Sequence, residues 1–193
     1  MVLATSELIN EIDTNKIVDI VSKNTIQGAT IDLRIGEKAR IQKRVDSPID
    51  LSIMQDLDVL YEEVDLSNGY ILKSGEYLYS ETIEYIKIPT DKSALLLPRS
   101  SLARMGLLLP VSQYANPGYE GHLPIVIYNA SQNDFIIPPY YRVMQIMLFE
   151  LKGEAKAYKE QIDKKYFKES NIKIPEIDLI DKDELLSQLE KYE

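Results

Sequence analysis

The chain has 193 residues, a formal net charge of −9 at pH 7, one histidine and no cysteine. The lack of cysteine excludes disulfides, iron–sulfur clusters and Cys-ligated zinc, and it is typical of a cytoplasmic protein. The negative charge disfavours nucleic-acid binding, which needs a basic surface. No apolar run reaches the roughly 18 residues of a membrane span. The length predicts one domain with its own core.

The N-terminal segment predicts a short helix over residues 5–13, because Leu8, Ile9 and Ile12 recur at helical spacing. A strand pattern follows at residues 28–36, GATIDLRIG. Three apolar residues there alternate with two charged ones, as in a strand with one apolar and one polar face. In an ordinary strand of this kind the charged side chains lie in water.

Short β-prone runs fill much of the remaining chain, and Gly or Pro turn signals separate them. Many short strands at this spacing predict an all-β barrel or sandwich. Gln145 interrupts the last of these runs and must find hydrogen-bond partners if it is buried. The runs cover residues 70–72, 77–80, 85–88, 94–97, 135–137 and 142–151.

A polar cluster stands at the centre of the chain, where Arg99, Ser100 and Ser101 are followed by Arg104. Arginine presents a planar fork of donors that fits phosphate oxygens, and adjacent serine hydroxyls can bind the same anion. The alternative is a surface turn with a solvated arginine. Downstream, Pro117-Gly118 predicts a turn in which the glycine takes a positive φ.

The motifs GATIDLRIG, RSSLARMGL, NPGYEGHL and RVMQIMLFE, in this order, resemble those of the dCTP deaminase / dUTPase superfamily. The segment RSSLAR is closest to the dCTP deaminase branch. The resemblance implies a distorted, jelly-roll-like β-barrel with short N- and C-terminal helices, assembled as a homotrimer. It assigns residues 1–170 to a dUTPase-like nucleotide-binding β domain. Residues 171–193 form a tail, whose leucine spacing near residues 185–189 predicts a short helix.

The resemblance also implies roles for individual residues. Arg104 would lie near the reacting base, and Asp32 falls in the first motif, where it would contact Mg²⁺ directly or indirectly. A C-terminal tyrosine and a lysine seven residues later close over the phosphates in the family, and Tyr158 and Lys165 keep that spacing. The residues that would bind the triphosphate are Arg99, Ser100, Ser101, Tyr158 and Lys165.

Two positions depart from the family pattern. Asn116 stands where the family has an aspartate before the Pro-Gly turn, and Val126 stands where deaminases have the glutamate that acts as general acid/base. Asparagine does not accept a proton as a base, and valine has no polar atom to orient water. Glu120 and His122 are the local candidates for a substitute base.

The leading hypothesis is a dCTP deaminase-like protein that binds a deoxynucleoside triphosphate, dCTP or dUTP, with Mg²⁺. It would deaminate dCTP to dUTP without zinc. The first alternative is a dUTP diphosphatase. The second is a nucleotide-binding or regulatory paralogue that has lost catalysis, and the third is a structural trimer. Neither nucleic acid nor a membrane is an expected partner.

Overall fold

The computed structural model describes residues 1–22, 24–53, 56–110, 112–161, 165–168, 172 and 175–177. The C-terminal helix predicted near residues 185–189 lies outside the described residues. Within the described part of the chain, no helix is both long enough and apolar enough to cross a bilayer.

Strands dominate the described chain, together with two α-helices, α1 (Thr5–Asn15) and α2 (Ser100–Arg104). One-turn 3-10 helices lie at Asp58–Leu60 and Tyr158–Glu160. The strands are β1 (Ile31–Gln42), β2 (Tyr61–Asp65), β3 (Tyr70–Leu72), β4 (Tyr77–Lys87), β5 (Lys92–Pro98), β6 (Leu107–Leu108), β7 (Tyr114–Ala115), β8 (Glu120–Asn129), β9 (Phe135–Ile137) and β10 (Arg142–Glu150).

Eight of these strands form one sheet in the order β6-β8-β4-β1-β10-β5-β7, with β2 paired to β1. Strands β3 and β9 form a separate pair. The first part of β1 pairs with β10, and its second part pairs with β2 and β4. Because β1 changes partners along its length, the sheet curls into a half-barrel around the apolar core. This confirms the predicted all-β, barrel-like class.

Strand alternation decides which side chains reach the core. In β8, every second residue from Gly121 to Asn129 is buried, and the residues between them are partly exposed. Strand β4 shows the same alternation from Leu78 to Ile86. The partly exposed residues of these neighbouring strands therefore form one continuous face, which carries Val126.

Several sequence predictions need correction at the level of single elements. The helix α1 extends to Asn15, and Ile9 on its predicted apolar face is 43% exposed, whereas Leu8 is fully buried. The runs 77–80 and 85–88 form one strand, β4, whose register with β8 shifts between Glu81 and Tyr85. The predicted strands at 70–72 and 135–137 are confirmed as β3 and β9.

An ion pair between Arg34 and Glu84 joins β1 to β4 where the ladder between them is irregular. The Glu84 carboxylate is 1% exposed and accepts hydrogen bonds from Arg34 Nε at 2.6 Å and from its backbone N–H at 2.9 Å. Burial raises the pKa of Glu84, and the bonds from Arg34 oppose that shift. The expectation of a solvated Arg34 is therefore wrong, because its guanidinium neutralises a buried carboxylate.

We expect Arg34→Met to lower the free energy of unfolding by about 3 kcal/mol near neutral pH, since it leaves a buried carboxylate without its cation. Because burial raises the pKa of Glu84 above its ordinary 4.5, the folded carboxyl regains its proton at a higher pH than the unfolded one. The neutral carboxyl needs no cation, so the loss shrinks as pH falls through the folded pKa. Denaturant unfolding at about pH 7 and about pH 5 measures this difference. An equal loss at both values would contradict it.

Candidate functional site

A buried carboxylate at Asp32 holds two arginines. The Asp32 side chain is fully buried, and its Oδ2 atom lies 2.9 Å from Arg99 Nη1 and 3.0 Å from Arg142 Nη1. Its Oδ1 atom accepts a hydrogen bond of 2.8 Å from Gln145 Nε2. We call these four residues the arginine cluster. The interpretation in which the charged side chains of this strand lie in water is wrong for Asp32. Gln145 is partly buried and does have a hydrogen-bond partner.

Strand register brings the cluster together. Asp32 of β1 is paired directly with Gln145 of β10, and Arg142 begins the same strand. Arg99 follows the end of β5, and its backbone N–H donates to the carbonyl of Val143 at 3.2 Å. Three adjacent strands thus deliver one carboxylate, one amide and two guanidinium groups to a single point.

The helix α2 presents the remaining residues of the predicted phosphate site. Leu102 is 1% exposed and fixes this helix in the core, while Ser100, Ser101 and Arg104 are exposed on its outer side. The side chains of Arg99 and Arg142 are 25% and 40% exposed. Each guanidinium has five N–H donors and uses one of them on Asp32 Oδ2 in this cluster. The outer face of the cluster therefore combines net positive charge with hydroxyl groups, which suits an anion.

The described residues do not fit a Mg²⁺ ion held by the protein alone. No group of three or more His, Asp or Glu side chains among them is arranged to hold a metal ion. Both carboxylate oxygens of Asp32 already accept bonds from the cluster. Magnesium in nucleotide sites is bound largely by phosphates and water. The ion would therefore enter with the triphosphate, and an indirect role for Asp32 stays a prediction.

A second feature is an apolar cavity of about 310 Å³ on the outer face of β4 and β8, which we call the Val126 cavity. Val126 lines it opposite Tyr79, its direct cross-strand neighbour. The predicted acid/base position therefore faces a cavity of a size that suits a small ring. Further lining residues include Tyr77, Tyr119, Pro124 and Tyr166.

The turn before β8 carries Asn116. The Tyr119 N–H donates to the Asn116 carbonyl at 3.1 Å, and Gly118 has φ 71°, so the predicted turn is confirmed. A Cβ atom at Gly118 would lie 3.1 Å from the Cβ of Ala157. The Asn116 side chain accepts a hydrogen bond of 3.4 Å from Gln161 Nε2. The segment after β10 thus packs directly on this turn.

The C-terminal segment approaches the Val126 cavity. Tyr158 is buried, with its ring 5.6 Å from Tyr119, and its hydroxyl accepts a bond of 3.3 Å from the Tyr166 N–H. Tyr166 lines the cavity itself, and Lys165 Nζ donates to the Glu176 carbonyl at 3.4 Å. Tyr158 therefore anchors this segment in the described protomer. Phosphate binding by Tyr158 and Lys165 stays a prediction.

The structure separates the two sequence candidates for a substitute base. Glu120 lies 3.6 Å from Lys87 Nζ and 3.3 Å from Lys168 Nζ, which makes it part of a surface ion-pair group. His122 lines the Val126 cavity, and its Nδ1 lies 2.8 Å from the Thr82 carbonyl. Because a carbonyl only accepts, that nitrogen carries the proton in this contact.

The arginine cluster and the Val126 cavity lie far apart along the sheet of one protomer. Tyr79 is paired with both Val126 and Arg40, so the cavity lies at the level of Arg40 on β1. Between these levels β1 carries two residues more than β4, so the separation from Asp32 to Arg40 is about 20 Å at roughly 3.3 Å per residue of regular ladder. A single protomer therefore does not bring the predicted phosphate site and the position of Val126 together.

Sequence reasoning missed two classes of residue. Arg142 was not predicted as part of the site, although it and Gln145 are the polar residues of an apolar run that ends only at Glu150. Their partner Asp32 is known only once the β1–β10 register is known. Tyr79 and Glu81 line the Val126 cavity only because β4 pairs with β8, and that pairing is not visible in the sequence.

Comparison with known proteins defines the class. Residues 2–151 match the family described as dCTP deaminase-like. A Nanoarchaeum equitans protein named dCTP deaminase, dUMP-forming, is 32% identical over 194 residues, covering 92% of this chain and 98% of the relative. A Haemophilus influenzae dCTP deaminase is 32% identical over 156 residues, covering 75% and 80%. The chain therefore belongs to the dCTP deaminase-like family.

A solved structure supports the fold. The 2'-deoxycytidine 5'-triphosphate deaminase from Agrobacterium tumefaciens aligns with a TM-score of 0.61 at 24% sequence identity. The alignment covers 76% of this chain and 47% of that chain, so this protein spans about half the length of the solved relative. The half-barrel described above is accordingly the fold of this family.

We expect Asp32→Asn to lower the free energy of unfolding by about 1.5–3 kcal/mol, the usual value of hydrogen bonds to a charged group. The matched control is Glu63→Gln, which removes an 82% exposed carboxylate that also pairs with an arginine, Arg40. That change should stay within about 0.5 kcal/mol. Denaturant unfolding of both variants measures the difference. Equal losses would show that the buried position of Asp32 adds nothing to stability.

Proposed function

We propose that this protein binds a pyrimidine deoxynucleoside triphosphate at the arginine cluster and hydrolytically deaminates dCTP. The observation that carries the proposal is the pair of partly exposed guanidinium groups held by the buried Asp32 carboxylate. Such a pair is pre-organised, because a fixed ion pair already holds both side chains beside the exposed serines of α2. The names of the relatives supply the base and the reaction.

Different residues of the chain bind different parts of the nucleotide. Arg99 and Arg142, with Ser100 and Ser101, bind the phosphate oxygens, and Arg104 lies near the base. Mg²⁺, when bound with the triphosphate, supplies charge neutralisation. The reaction needs no zinc, and a cytoplasmic location stays a prediction.

The proposed assembly is a homotrimer in which the arginine cluster of one copy faces the Val126 cavity of another. The separation of about 20 Å along the sheet supports it, since one copy does not join the two features. We expect sedimentation equilibrium to give the mass of three 22.1 kDa chains. A monomer at micromolar concentration would contradict this assembly and leave the site incomplete.

Arg99→Ala should weaken triphosphate binding by about 1.5–3 kcal/mol, which is about 10- to 160-fold in Kd, because it removes charge-assisted hydrogen bonds. The control is Arg44→Ala, since Arg44 is an exposed arginine in the loop after β1 and lies outside both the cluster and the Val126 cavity. Calorimetric titration with dCTP and Mg²⁺ measures both variants. If the Arg99 variant keeps the wild-type affinity, Arg99 does not bind the nucleotide.

The reaction is tested by incubating the protein with dCTP, dUTP or dTTP in the presence of Mg²⁺ and identifying the products. We expect dCTP to yield dUTP or dUMP with release of ammonia. The relatives divide into those named dCTP deaminase and those named dUMP-forming, so the assay also decides the product. Cleavage of dUTP without deamination of dCTP would favour a dUTP diphosphatase and contradict the proposal.

A second candidate function is nucleotide binding without turnover, as in a regulatory paralogue. The observation that favours it is the loss of both family carboxylates, since Asn116 bonds to Gln161 and Val126 gives its part of the cavity an apolar wall. The same assay separates the candidates. Tight binding of dCTP with unchanged nucleotide after prolonged incubation would establish the paralogue.

A further inference from the structure

The Val126 cavity contains a carboxylate that the family pattern does not place there. Glu81 of β4 lines the cavity, as do Val126, Tyr79 and His122. We propose that Glu81 is the general acid/base of this protein, an inference that rests on the proposed deaminase function. It replaces the glutamate that the family holds at the position of Val126.

Strand register supports the assignment. Tyr79 pairs with Val126 and Glu81 pairs with Pro124, so Glu81 and Val126 are diagonal neighbours on the same face of the sheet. Diagonal neighbours lie about 7–8 Å apart at Cα, within reach of a long side chain. A glutamate at position 81 thus extends into the space that a glutamate at position 126 would occupy, from the adjacent strand.

The alternatives lie farther away. His122 is on β8 itself, four residues before Val126, which places its Cα about 13 Å away along the strand. Its Nδ1 is engaged by the Thr82 carbonyl. Glu120 is two residues more distant and pairs with Lys87 and Lys168. Distance along the strand therefore favours Glu81 over both residues.

Water has a route to this carboxylate. Glu81 also lines a second, more polar pocket beside the first, whose walls include Lys38, Arg40 and Glu63. The side chain thus stands at the boundary between an apolar cavity, suited to a pyrimidine ring, and a polar groove. A water at this boundary lies within reach of the carboxylate and of the face of a bound ring, from which C4 is attacked.

In the proposed reaction, the Glu81 carboxylate carries out every proton transfer. Glu81 takes a proton from water as the water oxygen bonds to C4 of the cytosine ring, and it delivers that proton to N3. It then takes the proton of the new C4 hydroxyl and gives it to the amino group. The C4–N bond breaks, ammonia leaves, and C4=O forms, so dCTP and water yield dUTP and ammonia.

The test is Glu81→Gln, which keeps the shape of the side chain and removes its ability to accept a proton. We expect the rate of dCTP deamination to fall about 100-fold or more, the usual effect of a positioned acid/base, while the Kd for dCTP changes less than about threefold. The control is Glu62→Gln, an exposed carboxylate on strand β2, which should keep the wild-type rate. Glu81→Asp keeps the carboxylate but shortens the side chain by one methylene. Its rate should lie between those of the wild type and Glu81→Gln.

Relocation of the carboxylate completes the test. Adding Val126→Glu to Glu81→Gln returns a carboxylate to the same cavity. The double variant should deaminate dCTP at least about tenfold faster than Glu81→Gln alone. Wild-type rates in both Glu81→Gln and Glu81→Asp would overturn the role of Glu81 and leave the proposed function standing. A Glu81→Gln variant that loses dCTP binding along with its rate, with no recovery on relocation, would also overturn it. A wild-type protein that binds dCTP but never deaminates it would overturn the proposed function itself.

Discussion

The buried carboxylate of Asp32 is the constraint on which the arginine cluster depends. A charged group with no exposed surface is stable only when it is paired and hydrogen-bonded, and Asp32 meets both conditions through Arg99, Arg142 and Gln145. The carboxylate in turn fixes two guanidinium groups that would otherwise be mobile on the surface. The energetic requirement of a buried aspartate thus creates an ordered, positively charged face on an acidic chain.

Strand β1 connects this face to the rest of the molecule. Its first residues pair with β10 and carry Asp32, whereas its last residues pair with β4 and β2 beside the Val126 cavity. The ion pair of Arg34 with Glu84 stabilises the irregular region between these two parts. One long strand therefore holds two chemically different features apart, which is consistent with a site shared between copies of the chain.

The sequence predicted the class of fold and most strands, because alternation and turn residues are local signals. It did not predict the environment of Asp32, since alternation shows that a side chain lies on one face but not what covers that face. The arginines of β10 and of the segment after β5 cover it, and their register is a non-local property. Glu81 was missed for the same reason, because its relation to Val126 depends on the pairing of β4 with β8. The Pro-Gly turn was predicted correctly because its geometry is set by Gly118 itself.

The central claim is that the arginine cluster binds the phosphates of a deoxynucleotide. The most direct measurement is a set of calorimetric titrations of the wild-type protein with dCTP, dCMP and deoxycytidine in the presence of Mg²⁺. If the cluster binds phosphate oxygens, affinity falls with each phosphate group removed, and deoxycytidine binds about 100-fold or more weakly than dCTP. Equal affinities for dCTP and deoxycytidine would show that the cluster is structural and would contradict the account.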